Sequence, residues 1–181
     1  MRNRCYIPGV YSSKKEKDAA ARLSRYCDSG SRMRMLLEMR ESLPAHSWLR
    51  LLGESWSLCD NTGIYSEQVF FEPPIENMEG PVKGMMSKQE WDEFTAFPEY
   101  LKIYRGCYVG LNDDGISYSL CKKTAARFPS LVGYRKTGYQ PVLLHGSVWK
   151  HDIVAYKNCR NEREIIIRTC DIVETEYLEL Q

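Results

Sequence analysis

The pattern of apolar and polar positions predicts helices in the first half of the chain. Between residues 14 and 59, apolar side chains recur every three or four positions, which is the spacing of one face of a helix. Two shorter helices are expected further along, and each ends where a proline follows. The predicted helices are Lys14–Asp28 (capped by Ser12 or Ser13), Met33 to about Leu43, Pro44 to Cys59, Ser87 to about Phe97, and Lys122–Phe128.

Alternating or β-branched apolar runs predict strands, most of them in the second half of the chain. Helices first and strands afterwards, with one short helix among the strands, indicate an α+β fold rather than alternating β-α-β units. We expect one compact domain overall, with an N-terminal helical lobe over residues 1–98 and a β-rich core over residues 99–181. The predicted strands are Glu67–Phe71, two within Leu101–Cys121, Gln140–Gly146, Asp152–Tyr156, Ile165–Ile167 and an edge strand Asp171–Leu180.

The stretch Leu101–Cys121 carries the first candidate chemistry. Arg105 is expected at the end of a strand, and residues 112–115 form a turn because Asn, Asp and Gly tolerate the backbone angles of turns. Ser117 and Ser119 share one face of the next strand, since side chains alternate at a period of two. A fixed guanidinium beside two hydroxyls suits a phosphate-bearing ligand, because arginine makes a planar fork to phosphate oxygens.

Composition narrows the class of protein. The chain has 181 residues, with 43% hydrophobic and 27% charged residues, as in a soluble globular protein. The net charge of +1 gives no bulk attraction to nucleic acid or to a membrane surface. The seven cysteines include no Cys-x-x-Cys pair, so we expect reduced, mostly buried thiols and no metal. No apolar run is long enough to span a bilayer and no signal core is present, so a cytoplasmic protein is expected, acting either in its own cell or in the cytoplasm of a host.

A pair of carboxylates lies directly before the predicted strand Ile165–Ile167. Glu162 and Glu164 flank Arg163, and at a period of two both side chains are expected to point the same way at the mouth of the strand. Two glutamates in a loop are ordinarily solvated surface charge. Their position after the arginine and serine motifs gives them a second interpretation.

Taken in order, these motifs resemble those of the Arg-Ser-Glu class of ADP-ribosyltransferases. The resemblance covers roughly residues 99–170 and rests on Tyr104-Arg105-Gly106, Ser117-Tyr118-Ser119 and Glu162-Arg163-Glu164. It implies a split NAD-binding fold of two packed antiparallel sheets, with the N-terminal helices against the nucleotide cleft. The chain departs from the family at Tyr118, where Thr is usual, and the interval between the arginine and serine motifs is short.

The resemblance also implies a role for each motif. Arg105 would hold a phosphate and ribose of NAD, Ser117 would hold Glu164 in place, and Ser119 would shape the cleft. Glu164 would bind the 2′-hydroxyl and stabilise positive charge as the ribose–nicotinamide bond breaks. Glu162 would accept a proton from the attacking group or orient that group. In the family a Glu or Gln at this position goes with acceptor side chains such as arginine, which favours a protein arginine as acceptor. The NAD-binding residues implied are Tyr104, Arg105, Gly106, Ser117, Tyr118 and Ser119.

The sequence therefore predicts a mono-ADP-ribosyltransferase that uses NAD and modifies a protein acceptor of unknown identity. A toxin, a phage factor acting inside a host and a resident regulator all fit this description. An alternative is a non-catalytic module that binds a partner protein on a degenerate version of the same fold. A further alternative is nucleophilic catalysis by Cys121 or Cys107 with His145 or His151. No Gly-x-Gly-x-x-Gly follows a strand, which argues against a dehydrogenase.

Overall fold

The computed structural model describes Tyr11 and residues 13–179 as an α+β protein. The chain divides into two compact units. Unit 1 takes in the described residues up to Met78 together with Val82–Gln89, and unit 2 takes in Glu79–Pro81 and the described residues from Glu90 onward. The sequence placed its boundary after residue 98, whereas the observed division falls inside a helix, Lys88–Thr95.

Unit 1 is helical, and its core is formed by the apolar faces of its helices. Ser13 caps the first helix by accepting a hydrogen bond from the Glu16 N–H at 3.2 Å, as expected, and Ser12 lies outside the described residues. The buried Trp48 donates its indole N–H to the Leu36 carbonyl at 2.8 Å. The helices are α1 Lys14–Tyr26, α2 Arg32–Glu38, α3 Ala45–Ser55 and α4 Ser66–Phe70, with short 3-10 turns at Arg40–Ser42, Trp56–Leu58 and Lys83–Met85.

The strand predicted at Glu67–Phe71 is wrong, because the segment forms helix α4. Its Val-Phe-Phe run has high intrinsic strand propensity, but propensity is a weak preference that packing overrides. Val69 and Phe70 are both buried, and the Phe70 ring stacks on Trp56 with ring centroids 5.9 Å apart. Two consecutive residues can both face a core in a helix, whereas a strand would turn one of them away.

Unit 2 contains a single six-stranded sheet in which every neighbouring pair is antiparallel. The predicted strands from Leu101 onward are confirmed with small shifts at their ends, and Leu180 lies outside the described residues. The elements are α5 Lys88–Thr95, β1 Tyr100–Tyr108, β2 Ser117–Ser119, α6 Lys122–Arg127, β3 Pro141–Trp149, β4 Ile153–Lys157, β5 Glu164–Ile167 and β6 Asp171–Tyr177.

The order of strands across the sheet is β4-β5-β2-β1-β3-β6. The pairing between β1 and β2, at the centre, consists of the one residue pair Tyr104 and Ser119. By contrast, β1 pairs with β3 along its whole length, from Tyr100 to Tyr108. The sheet is therefore two three-stranded halves, β4-β5-β2 and β1-β3-β6, joined at one point, where the sequence predicted two separate packed sheets.

Helix α6 lies directly against β1, and Gly106 makes this approach possible. A Cβ at this glycine would sit 2.1 Å from the Ala125 carbonyl oxygen and 2.8 Å from Pro129. The Tyr108 hydroxyl, which is buried, donates to the Pro129 carbonyl at 2.6 Å just beyond the helix. Gly106 was expected to expose the backbone to a ligand, but the group that approaches it is this helix.

We expect Gly106→Ala to destabilise unit 2 by about 2–3 kcal/mol, because the added methyl group overlaps a main-chain atom and not a flexible side chain. Urea denaturation followed by circular dichroism measures the change. Gly63→Ala is the matched control, since nothing lies within 4 Å of the added Cβ and its effect should stay within about 0.5 kcal/mol. Equal stability of the two variants would contradict the packing described for α6.

Candidate functional site

One register line across the sheet carries a polar side chain from every strand. Direct cross-strand partners have side chains on the same face, so the pairings place these residues side by side. Spacing between neighbouring strands is about 4.8 Å, which makes the line continuous across the join of β1 and β2. We call it the polar row; its members are Glu174, His145, Tyr104, Ser119, Glu164 and Lys157.

Ser119 and Glu164 form the centre of the polar row. Ser119 lies directly across from Glu164 and is buried, whereas Glu164 is only partly buried. The Ser119 hydroxyl donates to the main-chain carbonyl of Glu162 at 2.6 Å and accepts the Cys121 N–H at 3.0 Å. This serine therefore fixes the segment that leads into β5, and with it the position of Glu164.

Ser117 lies on the same face of the sheet as Glu164, two residues along β2 from Ser119. Its direct partner on β5 is Ile166, and it lies diagonally from Glu164 on the same face. The residue directly opposite the final glutamate is Ser119, the second serine of the motif and not the first. Both serines face the same side of β2, as expected from their spacing.

Glu162 does not share a face with Glu164 through strand alternation. Strand β5 begins at Glu164, and Arg163 before it has a φ of 48°, in the left-handed region, so a period of two does not extend back to Glu162. One carboxylate oxygen of Glu162, Oε2, accepts from both Nε and Nη2 of Arg160, at 3.0 and 2.7 Å. The charge of Glu162 is thus largely committed to this arginine.

The structure does not bring the Arg105 side chain to the face that carries Ser119 and Glu164. Tyr104 is the partner of Ser119, so the next residue, Arg105, points to the opposite face. Arg105 also lies inside β1 and not at its end. Its Nη1 donates to the Ser117 carbonyl at 2.7 Å, and Nε and Nη2 donate to the Asn112 carbonyl at 3.2 and 2.9 Å.

The surroundings of Arg105 are those of a packed side chain. Its guanidinium lies over the Tyr118 ring, 6.0 Å from the centroid, and rests on Gly115, where a Cβ would come within 2.0 Å of Nη2. Burial, with a hydrogen bond to the Cys170 thiol, raises the pKa of Tyr118 well above its ordinary value. Tyr118 therefore belongs to the Arg105 face, as its place between the two serines predicted.

A group of charged side chains surrounds His145 at the other end of the polar row, and no sequence pattern predicted it. The His145 ring is 3.1 Å from Glu176 and 3.5 Å from Glu174, and it meets the Tyr104 ring edge-on at 5.3 Å. The Lys122 ammonium is 2.9 Å from Glu176. A hydrogen bond from Lys122, and then one from His145, lowers the pKa of the Glu176 carboxyl.

A buried ion pair holds the β4 end of the polar row to α5. Lys157 Nζ donates to Glu90 Oε2 at 2.7 Å, and both side chains are nearly inaccessible to solvent. The other Glu90 oxygen accepts the Asn158 N–H at 3.0 Å, and the Tyr156 hydroxyl donates to Glu93 at 2.9 Å. The only sequence signal was the spacing of Glu90 and Glu93, which places both carboxylates on one face of helix α5.

The register excludes one of the pairings proposed for nucleophilic cysteine chemistry, that of Cys107 with His145. Cys107 and His145 lie on opposite faces of the sheet, because Cys107 pairs with Val142, three residues from His145 on β3. Burial raises the pKa of the Cys107 thiol to about 11. Hydrogen bonds from Thr124 lower the pKa of Cys121. His151 stacks on Trp149, with ring centroids 6.2 Å apart.

Comparison with protein-family models, with curated proteins and with solved structures returned no match to this chain. Among the described residues, no group of three or more His, Cys, Asp or Glu side chains is placed to hold a metal ion. Within the same part of the chain, no helix combines the length and the apolar character needed to cross a bilayer.

We expect Arg105→Lys to loosen the segment between β1 and β2. A lysine ammonium cannot reproduce the planar fork that joins the Asn112 and Ser117 carbonyls. Amide hydrogen exchange of residues 109–116 should accelerate about tenfold or more, as expected when charged hydrogen bonds are lost. Arg127→Lys, at an exposed position on α6, is the control and should leave these rates unchanged. Unaltered exchange in the Arg105 variant would show that the fork does not hold this segment.

We expect Cys121 to react with iodoacetamide at pH 7.5 about a hundredfold faster than Cys107, because alkylation requires the thiolate. The Cys121 thiol ionises at a lower pH than usual, whereas Cys107 is buried with a pKa of about 11. Peptide mass spectrometry over time gives both rates. Thr124→Val removes the side-chain hydrogen bond to Cys121 and should slow its labelling alone. Faster labelling of Cys107 would contradict its placement in the core.

Proposed function

We propose that this protein is an NAD-dependent mono-ADP-ribosyltransferase that modifies a protein side chain, with arginine the favoured acceptor. The observation that carries the proposal is the pairing of Ser119 with Glu164 on one face, beside Tyr104, where the two halves of the sheet meet. These residues belong to the three motifs on which the resemblance to the Arg-Ser-Glu class rests. They are remote in sequence, and the fold makes them neighbours.

The form of the sheet supports the proposal. The resemblance implies two packed antiparallel sheets; here one antiparallel sheet divides into the halves β4-β5-β2 and β1-β3-β6, which share a single residue pair at their join. Beyond Tyr104 and Ser119 the two central strands share no direct residue pairing. A ligand at this join can reach side chains from both halves.

Glu164 is the residue proposed to act on the reacting bond. Cleavage of the bond between ribose and nicotinamide develops oxocarbenium character, which an oriented carboxylate stabilises. Glu164 is partly accessible, while its neighbours on the polar row, Ser119 and Lys157, are buried and fixed. Ser119 acts as a positioning residue, since its hydroxyl holds the carbonyl of Glu162.

The residues on this face fit the groups of a dinucleotide. Tyr104 offers an aromatic ring, Lys102 is exposed two residues before it on the same face, and Glu164 offers a carboxylate for a ribose hydroxyl. NAD supplies the ADP-ribose that is transferred. The second oxygen of Glu162, Oε1, can orient an arginine acceptor or accept its proton, while Arg160 occupies Oε2.

Arg105 takes a different role in this proposal from the one its motif suggested. Its guanidinium is committed to the Asn112 and Ser117 carbonyls on the face opposite Glu164. We propose that Arg105 holds β2, and therefore Ser119, in position. It is not assigned the binding of a phosphate.

The position of Arg105 also favours a second candidate function, a non-catalytic module that binds a partner protein. A fold that has lost its phosphate-binding arginine to an internal contact can still present a surface to a partner. The two functions can be distinguished by experiment, because a pure binding module releases no nicotinamide from NAD and does not modify itself.

We expect Glu164→Gln to lower the turnover of NAD by about two orders of magnitude or more while NAD binding persists, because the amide keeps the shape and loses the charge. Purified protein is incubated with NAD labelled in the adenylate part and a cell lysate, and transfer and nicotinamide release are both followed. Glu99→Gln, an exposed carboxylate outside the polar row, is the control and should match wild type.

Two results would count against the transferase. Turnover by Glu164→Gln equal to that of wild type would remove the role of this carboxylate. Absence of both nicotinamide release and transfer in the wild-type protein, in a lysate that a known transferase modifies, would favour the binding module.

A further inference from the structure

Strand β6 ends the sheet, and no described strand pairs with its outer side. Nearly all of its residues are exposed, from Asp171 to Tyr177. At the opposite end of the sheet, every residue of β4 is buried. An exposed edge strand presents unpaired N–H and C=O groups that can bind another strand. The open edge of this sheet is therefore β6.

The register identifies the main-chain groups that point outward. The Leu178 N–H donates to the Pro141 carbonyl at 2.9 Å, which makes these two a hydrogen-bonded pair in line with the rest of the ladder. Bonded and non-bonded pairs alternate along antiparallel strands. Thr175 and Tyr177 consequently direct their N–H and C=O groups away from β3, toward the open edge.

The side chains along this edge divide into an acidic row and an apolar row. Glu174 and Glu176 lie on the face of the polar row and are 65% and 42% exposed. On or near the other face, Ile172, Val173 and Tyr177 are 45%, 73% and 71% exposed. Within the described part of the chain, Lys122 and His145 contact these carboxylates, and both lie inward of the edge.

We propose that the outer edge of β6 binds an extended segment of a partner protein in which basic residues alternate with apolar residues. Such a segment would form an added strand, with main-chain bonds to Thr175 and Tyr177. Its basic side chains would lie beside Glu174 and Glu176, and its apolar side chains beside Ile172 and Tyr177. The inference does not depend on the transferase activity.

Charge argues against a second copy of this chain as the occupant. A second β6 would bring its own Asp171, Glu174 and Glu176 to the same edge, and like charges on adjacent strands repel. The basic side chains of the proposed segment would instead be attracted by the acidic row, and its apolar side chains would cover the apolar row.

The test uses the full chain without NAD and a fluorescent seven-residue peptide of alternating arginine and valine, with binding followed by anisotropy. A peptide of the same composition with its arginines grouped together should bind about tenfold more weakly or worse, since its charges cannot match one face. N-methylation of the peptide amides on one edge should weaken binding to a similar degree, because it blocks strand pairing.

Matched protein variants separate the main-chain contact from the charges. Thr175→Pro removes an outward N–H at a position that makes no bond to β3, and proline is tolerated in edge strands. Its affinity for the alternating peptide should fall about tenfold, whereas Thr175→Val, which keeps the N–H, should bind the peptide as wild type does. Glu174→Lys should weaken binding by about fivefold or more, and the loss should shrink as salt is added.

The proposal is overturned if the alternating and grouped peptides bind equally, which indicates attraction by charge alone, or if neither binds. It is also overturned if sedimentation shows that the chain pairs with itself through β6. Should Thr175→Pro fail to fold by circular dichroism, the N-methylated peptide decides the outcome alone. Because NAD is absent, failure of the transferase assay leaves this result unaffected, and the converse also holds.

Discussion

The guanidinium of Arg105 joins the two halves of the sheet at the place where main-chain pairing stops. Only Tyr104 and Ser119 pair directly between β1 and β2, and immediately beyond them the fork of Arg105 reaches the Ser117 and Asn112 carbonyls. Hydrogen bonds from a charged donor are stronger than those of an ordinary ladder, so one side chain can replace several main-chain bonds. A lysine or a neutral residue lacks the planar fork. The position of β2, and hence of Ser119 beside Glu164, depends on this contact.

The polar row is held at both ends by ion pairs of different character. At the β4 end, Glu90 and Lys157 are buried together, and removal of either partner would leave an uncompensated charge in a low-dielectric site. At the β6 end, the Lys122 and Glu176 pair is exposed and contributes little to stability. The row is thus rigid on the side that carries Glu164 and adaptable on the side that carries the open edge.

The sequence predicted those features that depend on local pattern. The period of two in β1 and β2, the turn at residues 112–115 and the proline-ended helices are all present. It could not predict which faces meet, because one residue pair between β1 and β2 decides whether Arg105 or Tyr104 lies beside Ser119. The prediction for Glu162 failed because the left-handed Arg163 interrupts the alternation. The contact of Glu90 with Lys157 joins distant residues, and no local pattern encodes it.

A carboxylate between a serine and a lysine is also compatible with a purely structural role in a sheet, so the polar row does not by itself make an active site. What distinguishes Glu164 is the contrast with its neighbours, since it remains partly accessible while Ser119 and Lys157 are buried. A carboxylate stabilises a developing positive charge best when its orientation is set beforehand. Arg160 is bound to Glu162 through two nitrogens, and Lys157 to Glu90. These contacts hold the loop between β4 and β5, and with it the position of Glu164 beside the join of β1 and β2.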